Sequence, residues 1–178
     1  MNALFKLNHI AVFVAAKKGE PPKNKPRPKH SVKVHVWAGI SIRGPTAVCI
    51  FEGRMNAILF IQILDRTLLP FIEEVFPDGH RFMQDNDPKH TSKLGQKFLE
   101  DHGVNWWHTP PESPDLNPIE NFWHELKELL RSEIKPKTKD ELVNGILRFW
   151  KTVDFVKCIR HLDKVIPRVE LGGDATGY

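Results

Sequence analysis

The stretch RFMQDNDPKHTS, residues 81–92, decides the expected fold. A short, largely apolar run ends at Gln84, Asp85 follows it directly, and Asn-Asp-Pro turns the chain at 86–88. Ser92 then begins a helix that Gly103 ends. The pattern predicts a short strand that carries a carboxylate at its end, and sites in α/β domains form at the carboxyl ends of parallel strands.

A second carboxylate, Glu120, ends the stretch SPDLNPIE, residues 113–120, and lies in the first turn of the strongest helical pattern in the chain. The apolar residues of that pattern recur on one helical face and are Ile119, Phe122, Trp123, Leu126, Leu129 and Leu130. Two acids on rigid elements can converge on divalent cations and support phosphodiester chemistry. We therefore expect Asp85 and Glu120 to meet in one groove.

Each acid also has a purely structural interpretation. Asn117 as the cap, Pro118 at the first helical position and Glu120 at the third form an ordinary helix start. In the turn at 86–88, acids commonly bond the local backbone. The residues alone leave both interpretations open.

The remaining segments predict an α/β domain with a mixed sheet. Strands are expected at 10–16, 32–42, 46–51 and 104–108, and the second and third of these should form an antiparallel hairpin. Asn56 should cap a helix that runs to about Phe76 and is kinked or divided at Pro70. Two further helices are expected, capped by Thr138 and Asp154.

The composition is that of one globular domain of 178 residues. Cys49 and Cys158 both lie in apolar patterns, which indicates buried thiols rather than a disulfide. No stretch approaches the roughly 20 apolar residues of a membrane span, and we expect neither a membrane partner nor a small-molecule cofactor. Residues 1–60 carry ten Lys and Arg against two acids, an imbalance that favours a polyanionic partner.

Two blocks of the sequence resemble the signature blocks of mariner-type transposases. They are QDNDPKHTS at 84–92 and SPDLNPIE at 113–120, and Asp85 and Glu120 match the second and third catalytic carboxylates of that family. The 34 residues between the two acids equal the spacing of one large branch of the family. KVHVWAGIS at 33–41, CIFEG at 49–53 and GGDATGY at 172–178 also resemble it, so the likeness runs from about Lys17 to the end of the chain.

The resemblance implies a ribonuclease H-like fold, in which an antiparallel hairpin and parallel strands form a mixed sheet flanked by helices. It also implies cut-and-paste transposition of DNA that depends on Mg²⁺ or Mn²⁺, with Asp85 and Glu120 as catalytic residues and metal ligands. The chain would divide into residues 1–30, a divergent N-terminal strand and a basic Pro-rich arm, and residues 31–178, the catalytic domain without its first strand. A nuclear location and a homodimer are expected on the same ground.

One feature of the family is missing. Its first catalytic Asp precedes the residues that match Lys17 to Glu20, where this sequence has the apolar run 10–16, and no aspartate occurs before Asp65. We expect an N-terminally truncated fragment without the family's helix-turn-helix modules. The fragment should bind metal weakly, and the lost acid should cost several kcal/mol or more of transition-state stabilisation. The run 10–16 should take the place of the lost central strand.

The residues expected to contact DNA are mostly in the arm. They are Lys17, Lys18, Lys23, Lys25, Arg27 and Lys29, together with Lys89 and His90 next to Asp85. The arm could equally be a nuclear import signal or a solvated loop, and His90 could instead stabilise its turn. As alternatives to an impaired transposase domain, the chain could be a non-catalytic module that binds nucleic acid or protein, or a nuclease with a substitute ligand.

Overall fold

The computed structural model describes residues 3–13, 32–85, 87–108 and 117–163, with the backbone alone at 3–13, 107 and 108. The strands within these ranges are β1 (Ala3–Phe13), β2 (Lys33–Ser41), β3 (Gly44–Pro45), β4 (Cys49–Phe51), β5 (His80–Gln84) and β6 (Trp106–His108). They form one mixed sheet in the order β3-β2-β1-β5-β6, and β4 pairs with β2 as well. The α/β class and the mixed sheet predicted from the sequence are therefore confirmed.

Strand β1 lies in the middle of the sheet. Its first five residues pair in parallel with β5, from Ala3 beside His80 to Leu7 beside Gln84. Residues 6–13 pair antiparallel with β2, from Lys6 beside Ile40 to Phe13 beside Lys33. The expectation that the N-terminal apolar run occupies a central position is thus confirmed as far as Phe13. The predicted bounds were wrong, since the strand begins at Ala3 rather than at residue 10, and residues 14–16 lie outside the described ranges.

The hairpin after β2 is antiparallel as predicted, but its returning strand is divided. The predicted strand 46–51 is wrong, because β3 ends at Pro45 and β4 begins only at Cys49. Between them Thr46 turns inward: its Oγ1 accepts a hydrogen bond from the Gly39 amide at 2.8 Å, and its carbonyl accepts one from the Trp150 indole at 2.9 Å. These two bonds satisfy polar groups that are buried in the fold.

One face of the sheet packs against the three C-terminal helices α4 (Ile119–Leu129), α5 (Lys139–Trp150) and α6 (Phe155–Asp163). Alternate residues of β2 form the sheet side of this core, namely Val34, Val36, Ala38 and Ile40. The predicted apolar stripe of α4 supplies the other side, and Ile119, Phe122, Trp123 and Leu126 are all fully buried. The predicted core role of Trp123 is therefore confirmed.

The opposite face packs against α1 (Ala57–Ile63), α2 (Leu69–Val75) and α3 (Lys93–Asp101). The helix expected from Asn56 to about Phe76 is divided, as the prediction for Pro70 allowed, and a π-helical turn, Leu64–Leu68, separates α1 from α2. Pro70, in the first turn of α2, has no N–H for an intrahelical bond, which accounts for the break. Trp37 and Phe82 extend from β2 and β5 into this second core, and Trp106 packs against it.

Several helix ends follow the predicted capping residues. Asn56, Ser92 and Asp154 each accept a backbone N–H with a side-chain oxygen, and Thr138 forms a capping box with Glu141. The prediction for α4 was wrong: Pro118 is its cap residue, and Asn117 makes no side-chain cap. Asn117 is buried instead, and its backbone carbonyl accepts the Glu120 amide at 3.1 Å.

A polar cluster joins α4 to α6 at the edge of the first core. Glu125 accepts hydrogen bonds from Lys157 at 2.6 Å and from His161 at 2.8 Å. Partial burial by itself would raise the pKa of Glu125, but the hydrogen bonds and positive charges of these two partners lower it overall. The carboxylate is therefore held ionised between the two helices.

The two cysteine thiols are free, and Cys158 is fully buried while Cys49 is half-buried. Burial raises the pKa of Cys158 to about 12 and also raises that of Cys49. The prediction of a buried thiol is confirmed for Cys158 and only partly for Cys49. Among the described helices, none has the length and apolar character that crossing a membrane requires.

Candidate active site

Asp85 is the first residue after β5, at the carboxyl end of a strand that has parallel neighbours on both sides. Residues of a strand alternate between the two faces of the sheet. Because Phe82 belongs to the core under α1–α3, position 85 falls on the other face, where α4 packs. The Asp85 side chain is 36% exposed, so water and ions can reach it.

The Asp85 carboxylate is held by two neighbours in the loop that follows β5. His90 contacts Oδ1 through Nδ1 at 2.5 Å, and the Asp87 amide donates to the same oxygen at 3.2 Å. The His90 ring is buried and lies against the Phe60 ring, with 4.5 Å between the centroids. The loop therefore fixes the carboxylate to the core of the domain.

Lys89, which was predicted to contact DNA, has a bonding partner inside the same loop. Its ammonium group binds Asp87 at 2.6 Å, and its amide donates to the other carboxylate oxygen of Asp87 at 2.9 Å. Partial burial alone would raise the pKa of Asp87, but these bonds and the charges of Lys89 and His90 lower it overall. The structural interpretation of the turn is confirmed for Asp87, whereas the contact of Lys89 with a phosphate stays a prediction.

The predicted contact of His90 with a phosphate also stays a prediction, and the burial of its ring disfavours it. Sequence analysis did not identify the neighbouring residues of β2 as part of this surface. Burial, followed by the charges of Lys33 and Lys89, lowers the pKa of His35 on β2. No local sequence signal links Lys89 to His35, since the two residues are 54 positions apart in the sequence.

Glu120 lies in the first turn of α4, half-buried, on the layer that covers the face of position 85. Helix α4 packs against β1, which is the strand next to β5. The structure thus brings the elements that carry the two acids to adjacent positions on one face of the sheet. The contact of both side chains with one cation is a proposal, developed below.

The place beside Asp85 on the central strand holds an amide residue. Leu7 pairs with Gln84, so the next step of the parallel register sets Asn8 level with Asp85. No Asp or Glu occurs in the sequence of β1. Across the described ranges, no three His, Cys, Asp or Glu side chains are grouped so that they could hold a metal ion.

Some predicted site residues cannot be placed. The six cationic residues of the arm, between Lys17 and Lys29, lie outside the described residues. Residues 109–116, which precede α4, lie outside them as well. The contribution of these two segments to DNA binding stays a prediction.

The chain matches the family model of the DDE superfamily endonucleases over residues 4–143. Among curated proteins, the transposase of the transposable element Tc1 of Caenorhabditis elegans is 30% identical over 159 residues, which is 89% of this chain and 58% of that protein. The Tc3 transposase of the same organism is 27% identical over 150 residues, covering 82% of this chain and 46% of that protein. The chain thus spans about half the length of these relatives.

Solved structures give the same fold. A pre-cleavage Mos1 transpososome superposes with a TM-score of 0.78 at 17% identity, over 96% of this chain and 54% of that one. The Mos1 transposase catalytic domain, solved with raltegravir and Mn, superposes with a TM-score of 0.75 at 16% identity, over 98% of this chain and 84% of that one. The ribonuclease H-like fold is therefore established, and the chain belongs to the DDE superfamily endonucleases as a catalytic domain of the Tc1/mariner transposase type.

Proposed function

We propose that this domain carries the metal-dependent chemistry of DNA strand cleavage and strand transfer, in impaired form, with Asp85 and Glu120 as its two metal ligands. The observation that supports the proposal best is the placement of Asp85. Its carboxylate stands at the carboxyl end of β5, is fixed by His90 and the Asp87 amide, and remains open to solvent.

The donor set suits Mg²⁺ or Mn²⁺. Both are oxygen-seeking cations, and Mg²⁺ in particular binds through one or two protein carboxylates while keeping water and phosphate ligands. The Mos1 catalytic domain was solved with Mn and with Mg, which supports divalent metal use in this family. When bound, such ions activate the attacking oxygen and stabilise the leaving oxygen of a phosphodiester. In this chain Asp85 and Glu120 would hold them.

The missing acid explains why the activity is proposed as impaired. The residue at the register position level with Asp85 is Asn8, and an amide is neutral and therefore a weaker metal ligand than a carboxylate. Removal of one negative charge beside a bound dication makes the binding of that dication weaker. Weakened metal binding and slow or undetectable cleavage should follow together.

DNA is the proposed substrate and partner. The structural neighbours include a Mos1 paired-end complex with a transposon end, which supports this assignment. The basic arm of residues 17–30 and Lys89 would bind phosphates, so binding should weaken steeply as salt is raised. A homodimer, nuclear location and the absence of a small-molecule cofactor are proposed from the family resemblance alone.

The experiment that tests this proposal restores the acid at the register position beside Asp85. Asn8→Asp changes the charge with almost no change in shape, so the unmodified chain is its own isosteric control. We expect Mn²⁺ affinity and nicking of supercoiled DNA to rise by about tenfold or more, since an added carboxylate ligand is worth several kcal/mol at a metal centre. Asp85→Asn and Glu120→Gln should each abolish that gain.

A second control separates position from charge. His9→Asp places the same charge one register position further along β1 and should give no gain. Equal gains from Asn8→Asp and His9→Asp would contradict a metal site built around Asp85. Salt-sensitive duplex binding, with no metal binding and no cleavage by any variant, would instead favour a non-catalytic module.

A further inference from the structure

His90 combines deep burial with a bond to a solvent-exposed carboxylate. Its side chain is 2% exposed, whereas that of Asp85 is 36% exposed. The ring lies on Phe60, the His90 amide donates to the Asp87 carbonyl at 2.8 Å, and the His90 carbonyl accepts from the Gln84 amide group at 3.0 Å. The imidazole is therefore fixed by packing from one side and by its own backbone from the other.

The partner of Nδ1 defines the tautomer of the ring. An ionised carboxylate only accepts hydrogen bonds, so Nδ1 carries the hydrogen that it donates to Asp85 Oδ1. The other ring nitrogen, Nε2, is buried with no hydrogen-bond partner within the described residues. Burial of Nε2 without a partner is unfavourable. The hydrogen bond from Nδ1 to Asp85 therefore has to offset this cost.

The two bonds also distinguish the oxygens of Asp85. In the part of the chain that the structure describes, His90 and the Asp87 amide both bond to Oδ1. Oδ2 is the oxygen that remains for a cation. A carboxylate that is pinned at one oxygen presents the other in a fixed direction, as supporting residues do around many metal ligands.

We propose that His90 is a positioning residue, which holds Asp85 through its Nδ1–H so that Oδ2 is presented to the metal ion. This inference rests on the proposed function, and it goes further by assigning separate roles to the two oxygens and to a buried histidine. His90 would touch neither the metal nor the DNA. Its effect would pass through the orientation of Asp85.

The tautomer can be tested without any metal. Long-range ¹H–¹⁵N correlation spectra of the full chain should show a hydrogen on His90 Nδ1, and Asp85→Ala should remove the preference for that nitrogen. A ring with hydrogen on Nε2 alone in the unmodified chain would overturn the inference. So would a spectrum that Asp85→Ala leaves unchanged.

Two variants test the effect on the cation. His90→Phe keeps a ring against Phe60 but has no donor, while His90→Asn places an amide N–H close to the position of Nδ1. Measured with Mn²⁺ in the Asn8→Asp chain, the Phe variant should bind at least tenfold more weakly, and the Asn variant should bind within about threefold of its parent. Thermal unfolding midpoints, measured in parallel, show whether each variant remains folded.

The outcomes distinguish this inference from the proposed function. Equal Mn²⁺ affinity for a folded His90→Phe variant and its parent would overturn the positioning role and leave the metal site intact. Loss of affinity in both variants to the same degree would also overturn it, because packing rather than the donor would then matter. Absence of Mn²⁺ binding by the parent itself would refute the proposed function, whereas the tautomer experiment would still decide the role of His90.

Discussion

Replacement of Trp123 by alanine tests whether the C-terminal layer holds the candidate site in place. The Trp123 side chain is 0% exposed and stacks on Trp150, with 5.8 Å between ring centroids and 25° between planes. Removal of a buried Trp side chain costs about 3–5 kcal/mol. Domains of this kind are stabilised by only about 5–15 kcal/mol, so roughly a fifth or more of the total should be lost.

The indole nitrogen separates packing from hydrogen bonding. Within the described residues, Trp123 Nε1 is buried without a hydrogen-bond partner, so Trp123→Phe loses contact area but no hydrogen bond. Its cost should be less than half that of Trp123→Ala. His124 is the next residue of α4 and is exposed, so His124→Ala should change stability by less than about 0.5 kcal/mol and serves as the matched control.

The assay is guanidinium-induced unfolding of the four proteins, followed by far-ultraviolet circular dichroism. Glu120 lies three residues before Trp123 on α4, so Mn²⁺ affinity should fall together with the stability of the helix. A loss of less than about 1 kcal/mol for Trp123→Ala would refute the reasoning, because no such cavity could then be left behind. A similar loss for His124→Ala would show that the loss does not depend on burial of the side chain, since alanine favours the helix more than histidine does.

Three further predictions concern other parts of the fold. The folded pKa of Glu125 is below the ordinary value of 4.5, so its stabilising effect is present above that pH and is lost as the pH falls through the folded pKa. Glu125→Gln should cost at most about 1 kcal/mol at pH 7, given its partial exposure, and progressively less as the pH is lowered below 4.5. Gly145→Val should cost about 1–3 kcal/mol in chemical unfolding, since a Cβ at position 145 would lie 2.9 Å from a methyl group of Leu130. Asn144→Val, on the exposed face of the same helix α5, is the control and should cost less than about 1 kcal/mol. Thiol labelling followed by mass spectrometry should modify Cys49 before Cys158, and labelling of Cys158 in the native protein at the rate of an exposed thiol would contradict its burial.

The sequence predicted the structure best where interactions between residues close in sequence decide it, as at helix caps. Ser92, Thr138 and Asp154 cap helices as expected, because an oxygen that accepts a backbone N–H needs no partner from elsewhere in the fold. The apolar stripe of α4 was predictable for a similar reason, since its period alone defines the buried face. Local chemistry therefore predicted most helix starts.

The errors come from positions that distant parts of the chain control. Asn117 has the sequence context of a cap, yet the packing of α4 leaves it buried and makes Pro118 the cap residue. Thr46 has good strand propensity, but its bonds to Gly39 and Trp150 interrupt the strand. Such contacts join residues far apart in sequence, and periodicity carries no information about them.

The candidate site shows the same division. The position of Asp85 at the end of a strand was predictable from the apolar run before it, and Glu120 was predictable within the first turn of a helix. The bond from His90 to Asp85 was not predicted, since the two roles expected for that histidine were a contact with DNA and stabilisation of its turn. It depends on the burial of the ring against Phe60, which is 30 residues earlier in the sequence and on another element.

The offset pairing of β1 has a mechanical consequence. Its ladder with β5 covers residues 3–7 and its ladder with β2 covers residues 6–13, so Lys6 and Leu7 are the two positions at which both neighbours are paired. The half of the sheet that carries Asp85 is therefore joined to the half that carries the hairpin through β1 alone, by a ladder of five residues with β5 and one of eight residues with β2. Within the described strands, Lys6 and Leu7 should show the slowest hydrogen exchange of β1, and the residues at its two ends, which pair on one side only, should exchange faster.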